Sequence, residues 1–137
     1  MAWGKVKDED FVGRKAHLAQ RESDPVTVMC TLTVDDHTSA SGTERYMLGR
    51  EPVVTPDGAP IVDAKGRRSF VTSAGAGPSV GKHLLMAYLP PEHAEVGEEL
   101  SVLYMGDRYP VTVAVAGATP IFDPDNERIK AAGAVVT

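Results

Sequence analysis

The sequence predicts a mainly β protein, a small antiparallel β-barrel of about six strands preceded by one short helix near the N-terminus. Short runs of β-branched and aromatic residues alternate with polar residues, which is the period of a half-buried strand. Glycine, proline and aspartate separate these runs at close intervals, as turns between strands do. Beyond the first helix almost no stretch has helical spacing.

Length and composition are those of one globular domain. The chain has 137 residues, of which 42% are hydrophobic and 24% are charged, enough for a core of its own. A net charge of −5 with scattered basic residues argues against nucleic-acid binding. No apolar run approaches the roughly 18 residues that cross a bilayer, and the charged start MAWGKVKDEDF is unlike a secretory signal. We therefore expect a cytoplasmic protein without nucleic-acid or membrane partners.

The first predicted element is a short helix through residues 14–21. Asp10 is the expected cap, because a side-chain oxygen can bond the free N–H groups of a first turn. Residues 16–18 provide a partly apolar face, and the helix should end near residues 23–25, where a proline follows.

A strand over residues 26–34 comes next, with apolar residues on one face and Thr27, Thr31 and Thr33 on the other. Cys30 lies on the apolar face and is the chain's single cysteine, so no internal disulfide can form. Because burial raises the pKa of a thiol, we interpret Cys30 as a structural residue rather than a nucleophile.

The middle of the chain alternates loops and short strands. Residues 35–45 read as a polar loop, and residues 46–48 and 51–55 as short strands around Gly49. The sequence Pro56-Asp57-Gly58 predicts a turn, because proline presets one dihedral angle and glycine accepts a positive one. A brief strand at residues 61–62 and a turn at residues 64–67 follow.

Residues 68–90 contain two strand-like runs, 69–72 and 83–89, joined by a wide glycine-rich turn at residues 74–81. A phosphate loop is the alternative, but the spacing G-x-G-x-x-x-G is one residue too long for the dinucleotide fingerprint. Gly81-Lys82-His83 also lacks the hydroxyl residue that follows the lysine of a Walker motif. The pattern therefore favours a structural turn.

A helical turn and a hairpin complete the predicted barrel. Residues 90–95 should form one helical turn that stops before Gly97. Strands at residues 99–104 and 109–116 pair around a turn that carries Gly106 and Asp107. Pro110 cannot donate to a ladder and is expected at that strand's start or on an edge.

Neither a catalytic nor a metal site is predicted. His17, His37, His83 and His93 lie far apart in the sequence, without metal-ligand spacing. Ser73 lacks the G-x-S-x-G pattern of a nucleophile and is interpreted as a turn residue. The acidic pairs at residues 35–36 and 123–125 lie in polar loops, where solvated charge is the usual outcome.

Four segments taken in order resemble the C-terminal part of the glycine cleavage T-protein (aminomethyltransferase) family. They are Asp-Phe-Val-Gly-Arg-Lys-Ala at residues 10–16, Val-Thr-Ser-Ala-Gly followed by Pro-Ser-Val-Gly-Lys within 71–82, Ala-Tyr-Leu-Pro at 87–90, and Pro-Ile-Phe-Asp-Pro at 120–124. Tyr88-Leu89-Pro90 and residues 121–124 look more like the relatives fused to flavin dehydrogenases or oxidases of dimethylglycine and sarcosine.

The resemblance implies a C-terminal barrel that closes a tetrahydrofolate cleft in enzymes that move a one-carbon unit to folate. Two preceding folate-binding domains would be its partners and would supply the acidic residue, so we expect no catalysis by this chain alone. FAD in an upstream domain is a further implication. Apolar surface left at an unfilled interface would favour self-association. The alternative is a stand-alone, non-catalytic barrel that binds a partner protein or acts as a subunit.

The expected organisation is a helix and domain junction at residues 1–24, the barrel at 25–122 and a tail at 123–137. In relatives a basic tail residue can border the folate cleft, and Arg128 is the best match, suited to pair with a glutamyl carboxylate. A solvated tail arginine is the alternative. Glu9 stands where the family often carries an arginine, and this reversal of charge suggests a different one-carbon acceptor or substrate.

Overall fold

The computed structural model describes residues 9–117 and 119–128. Within this part of the chain, a helix is followed by six strands in a single sheet, which confirms the predicted fold class. The elements are α1 Arg14–Glu22, β1 Val28–Val34, β2 Val53–Val54, β3 Val71–Gly77, β4 Lys82–Leu89, a 3-10 turn Pro91–His93, β5 Glu99–Tyr104 and β6 Asp107–Ala116. No helix among the described residues is long and apolar enough to cross a membrane.

The sheet has the order β2-β5-β6-β1-β4-β3, and every neighbouring pair is antiparallel. Backbone hydrogen bonds also join its two outer edges. The N–H of Arg50 donates to the carbonyl of Val71 over 2.6 Å, and the N–H of Val71 donates to Glu51 over 2.8 Å. The N–H of Val53 donates to Ser69 over 3.1 Å. The sheet therefore curls round and closes as a barrel.

The barrel interior is apolar because alternate residues of each strand point inward. The buried cluster comprises Cys30, Leu32, Val34, Met47, Val53, Ile61, Val71, Leu85, Ala87, Leu89, Leu100, Val102, Tyr109, Val111 and Val113. On β1 the predicted apolar face is confirmed at three positions, while Thr33, expected on the other face, is also buried, with 7% of its surface exposed. The ladder with β6 shifts between Thr31 and Leu32, and such a bulge re-aims nearby side chains.

Helix α1 begins later than its predicted cap. Gly13 is the N-cap, with φ of 87°, and no side chain caps the helix. The carboxylate of Asp10 accepts the N–H of Phe11 over 3.1 Å, before the helix starts. Glycine enters the left-handed region without a Cβ penalty, so it can make this entry turn. The helix ends at Glu22 with Ser23 as its C-cap, next to the predicted end, and none of its residues is buried.

The glycine-rich segment is mostly strand, which corrects the predicted turn over residues 74–81. Strand β3 extends through Gly77 and β4 begins at Lys82, so the connection is only residues 78–81. Ser73 consequently lies in a strand rather than a turn. At Gly77 an added Cβ would stand 2.8 Å from the Leu84 side chain. Glycine at this position allows close packing between strands rather than a bend of the chain.

Three short strands predicted in the middle of the chain are reduced or absent in the structure. Residues 46–48 are not a strand, and only Val53–Val54 is one within residues 51–55. The brief strand at 61–62 is a single bridge between Val62 and Arg68. The predicted turn at residues 56–58 is confirmed, with Gly58 at φ of 96° and its N–H bonded to the carbonyl of Thr55.

The last hairpin is confirmed, although Pro110 is the fourth residue of an interior strand rather than at a start or an edge. Its carbonyl accepts the N–H of Asp35 over 3.0 Å, just past the end of β1. In an antiparallel strand the N–H and C=O of one residue face the same neighbour. The donor that proline lacks would thus face Asp35, so only this last rung, at the end of β1, is left with a single hydrogen bond.

Candidate functional site

Two surface clefts flank the strands β3 and β4. The first, here called the arginine cleft, has a volume of about 260 Å³ and lies beside the turn that precedes β3. The second, here called the histidine cleft, has a volume of about 480 Å³ and lies beside the β3–β4 connection. The segment that carries the family resemblance, residues 68–90, contributes to both.

The arginine cleft combines aromatic, hydroxyl and charged side chains. Phe70 is 48% exposed and Tyr88 is 49% exposed, although both are large rings next to a packed barrel. The guanidinium of Arg68 makes no side-chain hydrogen bond or ion pair with any described residue. The cleft is lined by Thr27, Asp63, Arg67, Arg68, Ser69, Phe70, Thr72 and Tyr88.

Asp63 organises the wall of this cleft. Its Oδ1 accepts the backbone N–H groups of Lys65 over 2.8 Å and Arg67 over 3.0 Å. Its Oδ2 pairs with the guanidinium of Arg67 at 2.8 Å. The bond from the Arg67 N–H is the main reason that the pKa of this carboxyl lies below its usual value. Asp63 therefore stays anionic, and its negative charge is already paired with the guanidinium of Arg67.

The histidine cleft brings together two imidazoles that the sequence separates. The rings of His37 and Tyr46 are stacked with centroids 4.1 Å apart, and the ring of His83 lies 5.5 Å from His37. Nδ1 of His37 bonds the carbonyl of Arg45 over 3.2 Å, and Nε2 of His83 bonds the carbonyl of Met47 over 3.1 Å. Both imidazoles thus hold residues 45–47 against the barrel. These two histidines, far apart in the sequence, are therefore neighbours in the fold.

This pair does not form a metal centre on its own. Among residues 9–117 and 119–128, no three histidine, cysteine or acidic side chains gather as metal ligands. Asp35 lies at the same cleft, but its carboxylate accepts the hydroxyl of Thr112 over 2.7 Å and stands 4.0 Å from the ammonium of Lys82. The contacts that the structure gives to His37 and His83 are those of a structural clasp.

The remaining candidates from the sequence stay apart from both clefts. Arg128 is exposed, and its guanidinium lies 5.0 Å from the centroid of the Phe122 ring. The carboxylate of Asp123 accepts the backbone N–H groups of Glu127 and Arg128, which makes Asp123 a cap for this turn. For Cys30, burial raises the pKa of the thiol to about 11, as expected of an unreactive residue.

Sequence reasoning missed the arginine cleft and the clasp because each gathers side chains from distant segments. Thr27, Phe70 and Tyr88 come from three separate parts of the chain, yet they meet at one cleft. One signal was present. Tyr88 is exposed between the buried Ala87 and Leu89 of β4, and exposed apolar side chains that gather in one patch often mark a binding surface.

Comparison with known proteins identifies the barrel. The family model of the glycine cleavage T-protein C-terminal barrel domain matches residues 30–123. Similar proteins include an aminomethyltransferase of Thermosynechococcus vestitus, 32% identical over 77% of this chain and 25% of its own length. A probable aminomethyltransferase of Natronomonas pharaonis is 32% identical over 83% of this chain and 27% of its own length. An aminomethyltransferase of Desulfitobacterium hafniense is 25% identical over 74% of this chain and 24% of its own length.

A solved structure shows the same fold. The crystal structure of glycine cleavage system aminomethyltransferase T from Bartonella henselae matches with a TM-score of 0.57 and 21% identity. The match covers 82% of this chain and 26% of that one. The chain thus spans about a quarter of the length of the curated relatives it matches.

Proposed function

The chain belongs to the family of glycine cleavage T-protein C-terminal barrel domains, and we propose that it acts as the C-terminal barrel of a folate-dependent enzyme that transfers an aminomethyl or methyl group. The observation that carries this proposal is the family match across residues 30–123, which takes in five strands and most of β1. The relatives are aminomethyltransferases, which indicates the reaction class.

In this proposal the barrel helps to close a tetrahydrofolate cleft formed with preceding domains of the same enzyme. The relatives are about four times as long as the part matched here. Most of the folate pocket and of the acid–base groups can therefore lie in their other domains. We accordingly propose that the barrel is inactive alone, with residues 1–24 as the junction, 25–122 as the barrel and 123–137 as the tail. Its cytoplasmic location and self-association stay predictions.

Arg128 is proposed to pair with a glutamyl carboxylate of the folate. Its side chain is exposed and meets no carboxylate within ion-pair distance among the described residues. Asp123 fixes the backbone beneath it, and the Phe122 ring supports the guanidinium. An arginine held in this way presents a planar fork that fits a carboxylate bidentately.

We further propose that the parent enzyme resembles the dimethylglycine and sarcosine dehydrogenases or oxidases, with an FAD domain upstream. Support comes from Tyr88-Leu89-Pro90 and residues 121–124 in the sequence. Glu9, which is exposed, replaces the arginine common in the family. This replacement is the reason to test more than one one-carbon donor and acceptor.

Calorimetry tests whether this barrel binds tetrahydrofolate without the other domains. Tetrahydrofolate titrated into this chain alone should bind with a dissociation constant weaker than about 1 mM, since most of the pocket lies in other domains. Tighter binding would show that the barrel is itself a folate module.

In the complete enzyme, Arg128→Gln should weaken the binding of a folate glutamate tail by about tenfold. Arg50→Gln, at another exposed arginine, is the control and should change nothing.

The alternative is a non-catalytic barrel that binds a partner protein. The reading frame upstream of the Met1 codon distinguishes the enzyme domain from the binding module. Several hundred codons of folate-binding sequence would support the enzyme, whereas a stop codon immediately upstream would favour the binding module. The flavin proposal fails if the upstream sequence lacks a dinucleotide-binding domain.

A further inference from the structure

We propose that the arginine cleft is a binding site for a small aromatic carboxylate. The ring of the ligand would pack against Phe70 and Tyr88, and its carboxylate would pair with the guanidinium of Arg68. This site is independent of the folate function proposed above and of Arg128, which lines neither cleft.

Two half-exposed rings supply the apolar part of the site. Phe70 immediately precedes β3, and Tyr88 is near the end of β4, with neighbouring residues Val71 and Ala87 paired in the ladder. About half of the surface of each residue is exposed to solvent. Aromatic side chains at a concave surface favour stacking with planar ligands.

The charges around the cleft favour an anion. Two arginines, Arg67 and Arg68, face one carboxylate, Asp63, so the lining carries a net charge of +1. Asp63 and Arg67 neutralise each other at 2.8 Å. Arg68 is the cation left without a partner among the described residues, and a guanidinium binds a carboxylate through two parallel hydrogen bonds.

The wall of the cleft is arranged before any ligand arrives. Asp63 closes the turn of residues 63–67 through its two backbone hydrogen bonds, and Gly66 accepts the required φ of 76°. The hydroxyl of Thr72 is tied to the carbonyl of Met86 over 3.0 Å. A site that is already ordered loses little conformational freedom on binding.

An NMR titration of the whole chain with benzoate tests the proposal. Benzoate should shift the amide signals of residues 67–72 and Tyr88 with saturable binding. Cyclohexanecarboxylate has the charge without the aromatic ring, and benzamide has the ring without the charge, so both should bind at least about tenfold more weakly. Equal binding of either analogue, or shifts confined to other parts of the barrel, would refute the site.

Variants separate this site from a general attraction of anions. Arg68→Gln should weaken benzoate binding about tenfold, because a charge-assisted bidentate contact is lost. Arg50→Gln removes an exposed arginine outside both clefts and should leave it unchanged. Tyr88→Leu should weaken benzoate more than it weakens cyclohexanecarboxylate. Well-dispersed amide spectra for every variant would establish that the fold is intact, and undiminished binding by Arg68→Gln would overturn the proposal.

Discussion

Tyr109 shows how one side chain can join the barrel to a loop. Its ring is fully buried, yet its hydroxyl donates to the carbonyl of Thr43 over 3.1 Å and accepts from the guanidinium of Arg45 over 3.2 Å. The same guanidinium reaches Asp107 at 2.9 Å. The loop over residues 35–45 is thereby attached to the start of β6.

Tyr109→Phe should lower the free energy of unfolding by about 1–2 kcal/mol, because two partly buried polar partners lose a hydrogen bond while the ring volume stays the same. Urea unfolding measures the change. Tyr104→Phe is the control, since no hydrogen bond of the Tyr104 hydroxyl is recorded within the described chain. Equal effects of the two variants would argue against a specific role for the Tyr109 hydroxyl.

Asp63 makes stability depend on acidity in a definite direction. Its folded pKa is lowered, mainly by the N–H of Arg67, from the ordinary value of 3.8. As pH falls below that value, the unfolded chain takes up a proton that the folded chain still resists, so folding loses this contribution. The loss is complete once pH is below the folded pKa, and the contribution is fully present above the unfolded one.

Asp63→Asn should therefore be less stable than the parent at neutral pH and should lose less stability on acidification below about pH 4. Thermal unfolding at a series of pH values follows this. Asp24→Asn, at an exposed position, should keep the acid dependence of the parent. An unchanged pH profile for Asp63→Asn would contradict the proposed linkage.

At the residue scale, the burial of a side chain was easier to predict than the side chains that it contacts. The sequence alone predicts burial of Cys30 from its place in an alternating strand. It gives no sign that His37 would meet His83, because ring contact depends on how a loop folds back over β4. Arg128 is exposed with its backbone capped by Asp123, and its role toward folate stays a prediction.

At the element scale, the two glycines of β3 differ in whether a larger side chain could replace them. An added Cβ at Gly77 would stand 2.8 Å from Leu84 and 3.1 Å from the carbonyl of Lys82, whereas at Gly75 it would meet open space. Glycine at Gly77 is required by contact with the neighbouring strand. Glycine at Gly75 has no such steric reason.

The substitution Gly77→Ala should destabilise the barrel by about 1 kcal/mol, since Leu84 must move and the carbonyl cannot. Gly75→Ala should be neutral or stabilising by about 0.5 kcal/mol, because alanine loses less backbone entropy in a strand. Denaturant midpoints of the two variants provide a matched comparison. The steric account would be wrong if Gly77→Ala were as stable as Gly75→Ala.

Strands with clear alternation were predicted well, and elements that depend on distant partners were not. Strands β1, β5 and β6 follow from β-branched residues and period two, and β4 follows from an almost continuous apolar run. The extension of β3 through Gly77 does not, because local propensity disfavours glycine in strands, and pairing with β4 overrides it. The helix cap moved from Asp10 to Gly13 because the backbone enters the helix through a left-handed turn.

At the scale of the whole molecule, closure of the sheet is the decisive feature. Strands β2 and β3 form opposite edges of the sheet order, yet the residues beside them exchange backbone hydrogen bonds between Arg50 and Val71 and between Val71 and Glu51. Closure satisfies edge groups that would otherwise face solvent.

Hydrogen exchange can test this closure directly. The amide protons of Arg50 and Val71 should exchange about as slowly as those of β1 in the barrel centre, because opening either bond requires opening the barrel. The amide of Ala40, in an exposed loop, should exchange quickly. Fast exchange at Arg50 and Val71 would indicate an open sheet.

The sequence by itself determined the β class, most of the strands, the apolar core and the resemblance to one family, because these depend on residue type and local periodicity. Tertiary structure alone decided which residues close the predicted barrel, that His37 and His83 clasp residues 45–47, and that Arg68 shares a cleft with Phe70 and Tyr88. Those features join segments far apart in the chain. Their geometry depends on strand pairing and packing, which no local pattern of residues specifies.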